Sequence, residues 1–194
     1  EFMLRLDDYL KHFIATKISK DALWRKIQIY YSGVNVPGEG EHKIMTFIRS
    51  LKLSTSFSPE SAHIVHGNDA DLIMLGLGLD IINFSILREV ENYDPLSKKL
   101  EMMVLHHSLL REYINQEFVS LKESLPFSYE PKKIIYDWIL MAFLVGNDFL
   151  PCLPFLHINN NALSLLWNTY KSVLPTLDGT VFTLLRPPDR QLSN

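Results

Sequence analysis

The sequence contains a single cysteine, Cys152, among its 194 residues. One thiol excludes an internal disulfide framework, and no pattern of cysteine and histidine fits a zinc site. No apolar run approaches the roughly 18 residues of a membrane-spanning helix. The longest run, residues 138–145, has eight residues and predicts a buried helix. The sequence therefore excludes a disulfide scaffold and a membrane span.

An excess of positive charge is also absent. The chain carries 19 basic and 22 acidic residues, for a formal net charge of −3. No global positive field attracts nucleic acid, so any such role must come from local patches and bound cations. The hydrophobic content of 47% and the charged content of 21% are typical of one globular domain with a substantial core.

Hydrophobic periodicity predicts alternating helices and strands in the first half of the chain and mostly helices afterwards. The predicted helices cover residues 3–18, 41–51, 70–79, 106–121, 131–145 and 160–173. The predicted strands cover residues 27–31, 62–66, 81–87 and 102–105, and a turn is predicted over residues 94–97. This order indicates an α/β fold with a helical C-terminal part. From Thr180 onward the periodicity is weak, which predicts a frayed tail.

Acidic residues follow three of these predicted elements, each group close to a glycine. The candidates are Glu39 and Glu41 after the strand over 27–31, Asp69 and Asp71 after the strand over 62–66, and Asp148 after the helix ending near residue 145. Functional sites of open α/β sheets lie beyond the carboxyl ends of strands, where the first two groups are expected. Any one group alone is most simply a helix cap or a solvated helix start.

Convergence of these acids would require cations. Two carboxylates about 4 Å apart repel by roughly 4 kcal/mol at an effective dielectric constant near 20. Ligand sets made only of oxygen favour Mg²⁺ or Mn²⁺. Two such ions support in-line hydrolysis of a phosphodiester, because one activates water and the other stabilises the leaving oxygen.

Three longer motifs resemble the Xrn family of 5′→3′ exoribonucleases. Residues 37–45 read PGEGEHKIM, residues 67–76 read GNDADLIMLG, and residues 143–151 read FLVGNDFLP. Residues 87–89 (LRE) and 110–113 (LREY) also resemble family motifs, and they occur in the same order as in the family. Residues 137–141 and 156–159 resemble the cytoplasmic branch more than the nuclear one.

The resemblance implies a nuclease core of the PIN-like and flap-endonuclease-like kind, with a central sheet flanked by helices. It implies processive degradation of single-stranded RNA that bears a 5′-monophosphate, with release of nucleoside 5′-monophosphates, in the cytoplasm. Its cofactor would be Mg²⁺ or Mn²⁺, as two ions. By motif match, the metal ligands and catalytic residues are Glu39, Glu41, Asp69, Asp71 and Asp148. Lys43 is a candidate for contact with substrate phosphate.

The resemblance covers residues 1–175, which are expected to be part of the exoribonuclease catalytic domain. Residues 176–194 are expected to be a divergent, disordered tail. The family has further catalytic acids and a basic 5′-phosphate pocket upstream of the position equivalent to Glu1. We therefore expect an internal or truncated part of the nuclease domain, incomplete at its N-terminus.

Two other functions compete with the exoribonuclease. The chain could be a catalytically incomplete remnant or nucleic-acid-binding module, with acids that bind a metal weakly and without turnover. It could also be a phosphatase of the aspartyl-phosphate type that uses Asp69 and Asp71 as nucleophile and acid. The phosphatase leaves Glu39 and Glu41 without a role.

Overall fold

The computed structural model describes residues 1–55, 57–91 and 100–185. The chain divides into two compact units, Glu1–Leu53 and Ser54–Asn194. The helices are α1 (Phe2–Lys20), α2 (Gly40–Lys52), α3 (Asp71–Leu79), α4 (His107–Phe118), α5 (Pro131–Leu144), α6 (Ala162–Val173) and α7 (Val181–Leu185). The strands are β1 (His63–His66), β2 (Phe84–Glu91) and β3 (Leu100–His106). The turn predicted over residues 94–97 lies outside the described residues.

The first unit is helical. Helices α1 and α2 confirm the predictions over residues 3–18 and 41–51. Aromatic contacts attach the end of α1 to the short 3₁₀ helix Trp24–Lys26 that follows it. The Phe13 and Trp24 rings meet edge-on with centroids 5.9 Å apart, and the Lys17 ammonium lies within 6.0 Å of both centroids. Such contacts combine apolar burial with a cation–π attraction.

The strand predicted over residues 27–31 is wrong. The structure places these residues in irregular backbone, with Ile27 and Tyr30 exposed. A β-rich segment becomes a strand only when a neighbouring strand accepts and donates its main-chain hydrogen bonds. No strand of the described first unit does so, and the segment is attached to α1 through side chains instead.

Asp7 makes that attachment. Its carboxylate is 5% exposed and accepts hydrogen bonds from the Tyr31 hydroxyl at 2.8 Å and the Val34 N–H at 3.0 Å. The Lys11 ammonium lies 2.5 Å from its other oxygen. The hydrogen bond from Lys11, followed by those from Val34 and Tyr31, lowers the pKa of Asp7 to about 2.

The second unit contains a three-stranded sheet in the order β1-β2-β3. Strands β1 and β2 run parallel, with His63 opposite Phe84, while β2 and β3 run antiparallel. Helix α3 connects the parallel pair, as a parallel connection requires. Strand β2 begins later than the predicted range 81–87, because residues 80–83 complete the turn that follows α3. Asp80 ends that helix in the left-handed conformation, at φ 54°.

Four helices form the main hydrophobic core of this unit. Helices α4, α5 and α6 confirm the predictions, and the apolar run 138–145 lies largely in α5, as expected. The buried cluster consists of Leu77, Ile114, Phe118, Ile134, Ile135, Met141, Tyr170 and Leu174. Leu77 belongs to α3, so the cluster joins the helix after β1 to the C-terminal helices. Burial of side chains of this size contributes about 1.5–3 kcal/mol each.

A buried histidine lies between α3, α4 and the sheet. The His107 ring is fully buried, and its Nε2–H donates to the Ile73 carbonyl at 3.0 Å. The Phe84 ring meets it edge-on at 4.8 Å. Gly76 permits this packing, because a Cβ there would overlap both rings. Burial lowers the pKa of His107, which favours the neutral ring.

The prediction of a disordered tail differs from the structure between Thr176 and Leu185. Thr180 is buried and α7 follows it. Asp137 of α5 explains this order. Its carboxylate accepts the N–H groups of Val181 at 2.8 Å and Phe182 at 2.6 Å, together with the Tyr170 hydroxyl at 2.6 Å. Burial raises the pKa of Asp137 despite these three donors. Residues 186–194 lie outside the described part of the chain.

Replacing Asp7 by Asn should loosen the 31–34 segment. Because the pKa of Asp7 lies below its ordinary value of 3.8, its ionised form stabilises the folded state above pH 3.8. That contribution is lost as the pH falls towards 2. In D7N, the Val34 amide should exchange faster at pH 7. The protection of this amide should also no longer decrease as the pH falls towards 2. Amide hydrogen exchange checks this, with Asp8→Asn on the exposed side of α1 as the matched control. Equal protection in D7N and D8N would contradict it.

Replacing Asp137 by Ala should release α7 and destabilise the second unit. The substitution leaves two main-chain donors and the Tyr170 hydroxyl without their acceptor, which costs about 3 kcal/mol of unfolding free energy. Chemical denaturation measures this loss, and hydrogen exchange at Val181 and Phe182 locates it. Asp178→Asn, at an exposed position, serves as the control. Unchanged protection of both amides in D137A would show that another contact holds α7.

Candidate functional site

Three of the predicted site residues meet in one pocket of the second unit. Asp69, Asp71 and Asp148 line a cavity of about 320 Å³, named here the acidic pocket. Its apolar lining includes Ile73, Met74, Trp138, Val145, Ile158 and Leu163. The structure thus brings together the acids that follow β1 and the acid that follows α5, which are far apart in sequence.

Asp69 combines two roles. Its Oδ1 accepts the N–H of Asp71 at 2.9 Å, so it stabilises the start of α3, as the capping interpretation predicts. It also lines the acidic pocket. Asp71 is the first residue of α3, where the helix dipole favours a negative charge by about 0.3–1 kcal/mol.

The loop before Asp69 is attached to strand β2. The Arg88 guanidinium donates to the main-chain carbonyl of Asn68 at 2.6 Å. The Glu89 N–H donates to the side-chain oxygen of Asn68 at 2.9 Å, and the Gly67 N–H donates to the Leu87 carbonyl at 3.1 Å. Arg88 therefore has a structural contact beside the acidic pocket.

Asp148 lies in a tight loop after α5. Gly146 has a φ of +89°, and a Cβ there would approach the Cys152 nitrogen to 2.6 Å. Only glycine fits this conformation and this space. The side-chain oxygen of Asn147 accepts the N–H groups of Phe149 at 3.0 Å and Leu150 at 2.8 Å. Asp148 is exposed between these anchored residues.

The acidic pocket offers oxygen ligands of the kind that Mg²⁺ and Mn²⁺ prefer, but its described acids do not form an assembled metal centre. Among the described residues, no group of three or more His, Cys, Asp and Glu side chains lies close enough to hold one. The proposed ligation of two ions by the five predicted acids stays a prediction.

Glu39 and Glu41 belong to the first unit, at the start of α2. Glu39 directly precedes the helix, and its carbonyl accepts the Lys43 N–H at 3.1 Å. Glu41 lies in the first turn and is half-buried. Gly38 turns the chain into the helix with a φ of +96°. These positions also fit the simpler interpretation of an acidic helix start.

Lys43 lines a different cavity, which belongs to the first unit and has a volume of about 870 Å³. Tyr30 and Phe47 line the same cavity, and their ring centroids are 4.6 Å apart. A cation beside aromatic rings is compatible with the predicted contact between Lys43 and a nucleotide phosphate, which stays a prediction.

Sequence reasoning missed Asn68, Asn147 and the pocket-lining role of Trp138. The Trp138 ring stacks on Trp167 with centroids 5.7 Å apart, and it also lines the acidic pocket. The asparagines had a visible signal, because the tripeptide Gly-Asn-Asp occurs at residues 67–69 and again at 146–148.

Within the described residues, no helix combines the length and apolar character needed to span a membrane.

Comparison with known proteins identifies related sequences along most of the chain. Residues 1–90 match the family model of the XRN 5'-3' exonuclease N-terminus, and residues 128–184 match that of the Xrn1 helical domain. The human 5'-3' exoribonuclease 1 is 50% identical over 190 residues, and its counterpart in Saccharomyces cerevisiae is 46% identical over 187. The 5'-3' exoribonuclease 2 of Schizosaccharomyces pombe is 37% identical over 210 residues.

Each of these three alignments covers 93% of this chain. The chain spans 11%, 12% and 21% of the length of these relatives, respectively. Two consecutive family regions match, and the three relatives are 37–50% identical to this chain. Both findings agree with the family resemblance of the acidic motifs. The chain belongs to the Xrn family of 5'-3' exoribonucleases, and its length is a small part of the length of these relatives.

Proposed function

We propose that this chain is part of the catalytic domain of an exoribonuclease that degrades 5′-monophosphorylated single-stranded RNA in the 5′→3′ direction. The products are nucleoside 5′-monophosphates, and the role is cytoplasmic RNA decay. The observation that carries the proposal is the meeting of Asp69, Asp71 and Asp148 in one pocket of a chain whose relatives are named exoribonucleases.

The charge of the acidic pocket supports a need for cations. Three carboxylates line it, and among the described residues no lysine or arginine does. A phosphodiester is also an anion, so these acids alone repel the substrate. We therefore include Mg²⁺ or Mn²⁺ in the proposal, with Glu39, Glu41, Asp69, Asp71 and Asp148 as the ligands. A divalent cation would neutralise this repulsion.

The chain's own residues supply position and shape. Asp71 is fixed by the start of α3, and Asp69 is fixed by its hydrogen bond to the Asp71 N–H. Apolar side chains around Trp138 form one wall of the pocket, while Asp69 and Asp148 are exposed to water. Phosphodiester hydrolysis adds water across the P–O bond, and cleavage on the 3′-oxygen side leaves the phosphate on the 5′-oxygen of the next nucleotide.

One observation favours a second function for the 194-residue chain on its own. Because the described acids do not form a metal-binding group, the isolated chain is expected to bind RNA or cations without turnover. This corresponds to the catalytically incomplete module considered from the sequence.

Replacing Asp69, Asp71 or Asp148 by Asn in the full-length protein should lower kcat by about 100-fold or more, because each substitution removes a charge from the reacting region. The assay follows mononucleotide release from 5′-monophosphorylated RNA in Mg²⁺. EDTA is the control for the cation, and a 5′-hydroxyl RNA of the same sequence is the control for the substrate. Asp178→Asn, an exposed acid outside the pocket, is the control variant.

Full activity of any one of the three pocket variants would remove that residue from the proposed site. Full activity of all three would contradict the proposed function. In the same assay, the isolated 194-residue chain should release no mononucleotides. Mg²⁺-dependent release by that chain would show that its acids form a sufficient site, against the second function.

A further inference from the structure

The tripeptide Gly-Asn-Asp carries two of the three acids of the acidic pocket. Asp69 and Asp148 each end one copy of it, at residues 67–69 and 146–148. The two copies lie in different surroundings, since one follows a strand and the other follows a helix. Because the same tripeptide occurs after a strand and after a helix, its local role does not depend on the preceding element.

In the first copy, Asn68 fastens the loop to strand β2. Its side-chain oxygen accepts the Glu89 N–H at 2.9 Å. Its main-chain carbonyl accepts the Arg88 guanidinium at 2.6 Å. The residue directly before Asp69 is therefore held by both its side chain and its backbone.

In the second copy, Asn147 organises the loop from within. Its side-chain oxygen accepts two N–H groups, from Phe149 and Leu150, and its own N–H donates to the Leu150 carbonyl at 2.9 Å. Asparagine is the residue type that stabilises such turns, because its short amide reaches main-chain groups two or three residues ahead. Asp148 lies inside the turn that this oxygen closes.

The anchors oppose repulsion between the two acids. Carboxylates that line one pocket repel each other, so loops that are free to move would carry Asp69 and Asp148 apart. In both copies the side-chain oxygen of the neighbouring asparagine accepts main-chain N–H groups that would otherwise form hydrogen bonds with water. The anchors thus oppose the movement that repulsion favours.

We propose that Asn68 and Asn147 are positioning residues, which hold Asp69 and Asp148 at the acidic pocket through side-chain hydrogen bonds to the backbone. This inference rests on the proposed exoribonuclease function of that pocket. Neither asparagine needs to touch the substrate, and the side-chain oxygen is the functional atom of each.

The test compares leucine and aspartate at each position in the full-length protein. Leucine has nearly the same shape as asparagine but no acceptor, whereas aspartate keeps an acceptor oxygen. N68L and N147L should lower kcat about tenfold and change KM for 5′-monophosphorylated RNA less than twofold, because a displaced acid affects the reaction more than RNA binding. N68D and N147D keep the acceptor oxygen but add a negative charge at the acidic pocket, so they serve as controls for the hydrogen bond by hydrogen exchange and not by kcat.

Hydrogen exchange supplies a readout that is independent of activity. The Leu150 amide should exchange about tenfold faster in N147L and at the original rate in N147D, with the Glu89 amide behaving likewise in the Asn68 variants. Asn115→Leu is the matched control. It removes a similar hydrogen bond, from the Tyr129 hydroxyl at 2.9 Å, away from the acidic pocket, and should leave kcat unchanged.

The outcomes separate the two proposals. If Asp69→Asn and Asp148→Asn abolish activity while N68L and N147L retain full kcat, the positioning role is wrong and the proposed function stands. An aspartate variant in which the Glu89 or Leu150 amide exchanges as fast as in the leucine counterpart would also overturn the positioning role. If both D69N and D148N are fully active, the positioning role fails, and full activity of D71N as well contradicts the proposed function too.

Discussion

The packing of α3 against α5 is the interaction on which the second unit depends. Leu77 of α3 is fully buried in the same cluster as Ile134, Ile135 and Met141 of α5. Helix α3 begins with Asp71, and α5 is followed by the loop that carries Asp148. The apolar contact therefore determines which acids share a pocket. The hydrophobic effect supplies the free energy, and the order of the chain determines where the charges lie.

The acidic pocket opposes this packing electrostatically. Carboxylates near one another cost free energy unless hydrogen bonds or cations offset the repulsion. The structure shows the hydrogen-bonded part of that compensation, at Asp69, Asn68 and Asn147. Local conflicts of this kind, compensated by neighbouring contacts, are typical of functional sites. Stabilising the start of α3 and lining the acidic pocket are thus compatible in Asp69.

Buried carboxylates in this protein follow two different physical regimes. Asp7 has an ammonium group and two further donors, and its pKa is lowered. Asp137 has three neutral hydrogen-bond donors and, among the described residues, no ion pair with a cation, and burial raises its pKa. Both attach segments that hydrophobic patterning leaves unassigned, namely the backbone around residues 31–34 and helix α7. In each case a side chain satisfies main-chain N–H groups that would otherwise need a strand or water.

The sequence by itself determined most elements of this protein and the identity of its candidate acids. Helices α1 to α6 and the strands β1 and β3 follow from periodicity, because that signal is local. The family follows from three motifs in the stated order. The strand over residues 27–31 was wrong because β structure depends on a partner far along the chain. The order around Thr180 was missed because its cause, Asp137, lies more than 40 residues away.

Only the tertiary structure decided which acids meet and how they are held. It brought Asp69, Asp71 and Asp148 to one pocket and showed that the described residues alone do not form a metal centre. It also showed the main-chain groups to which the side chains of Asn68 and Asn147 bond, which the repeated tripeptide could not reveal. The physical reason is that convergence of charges and satisfaction of main-chain donors are set by distances between residues remote in sequence. Local pattern fixes which groups are available, and packing fixes which of them meet.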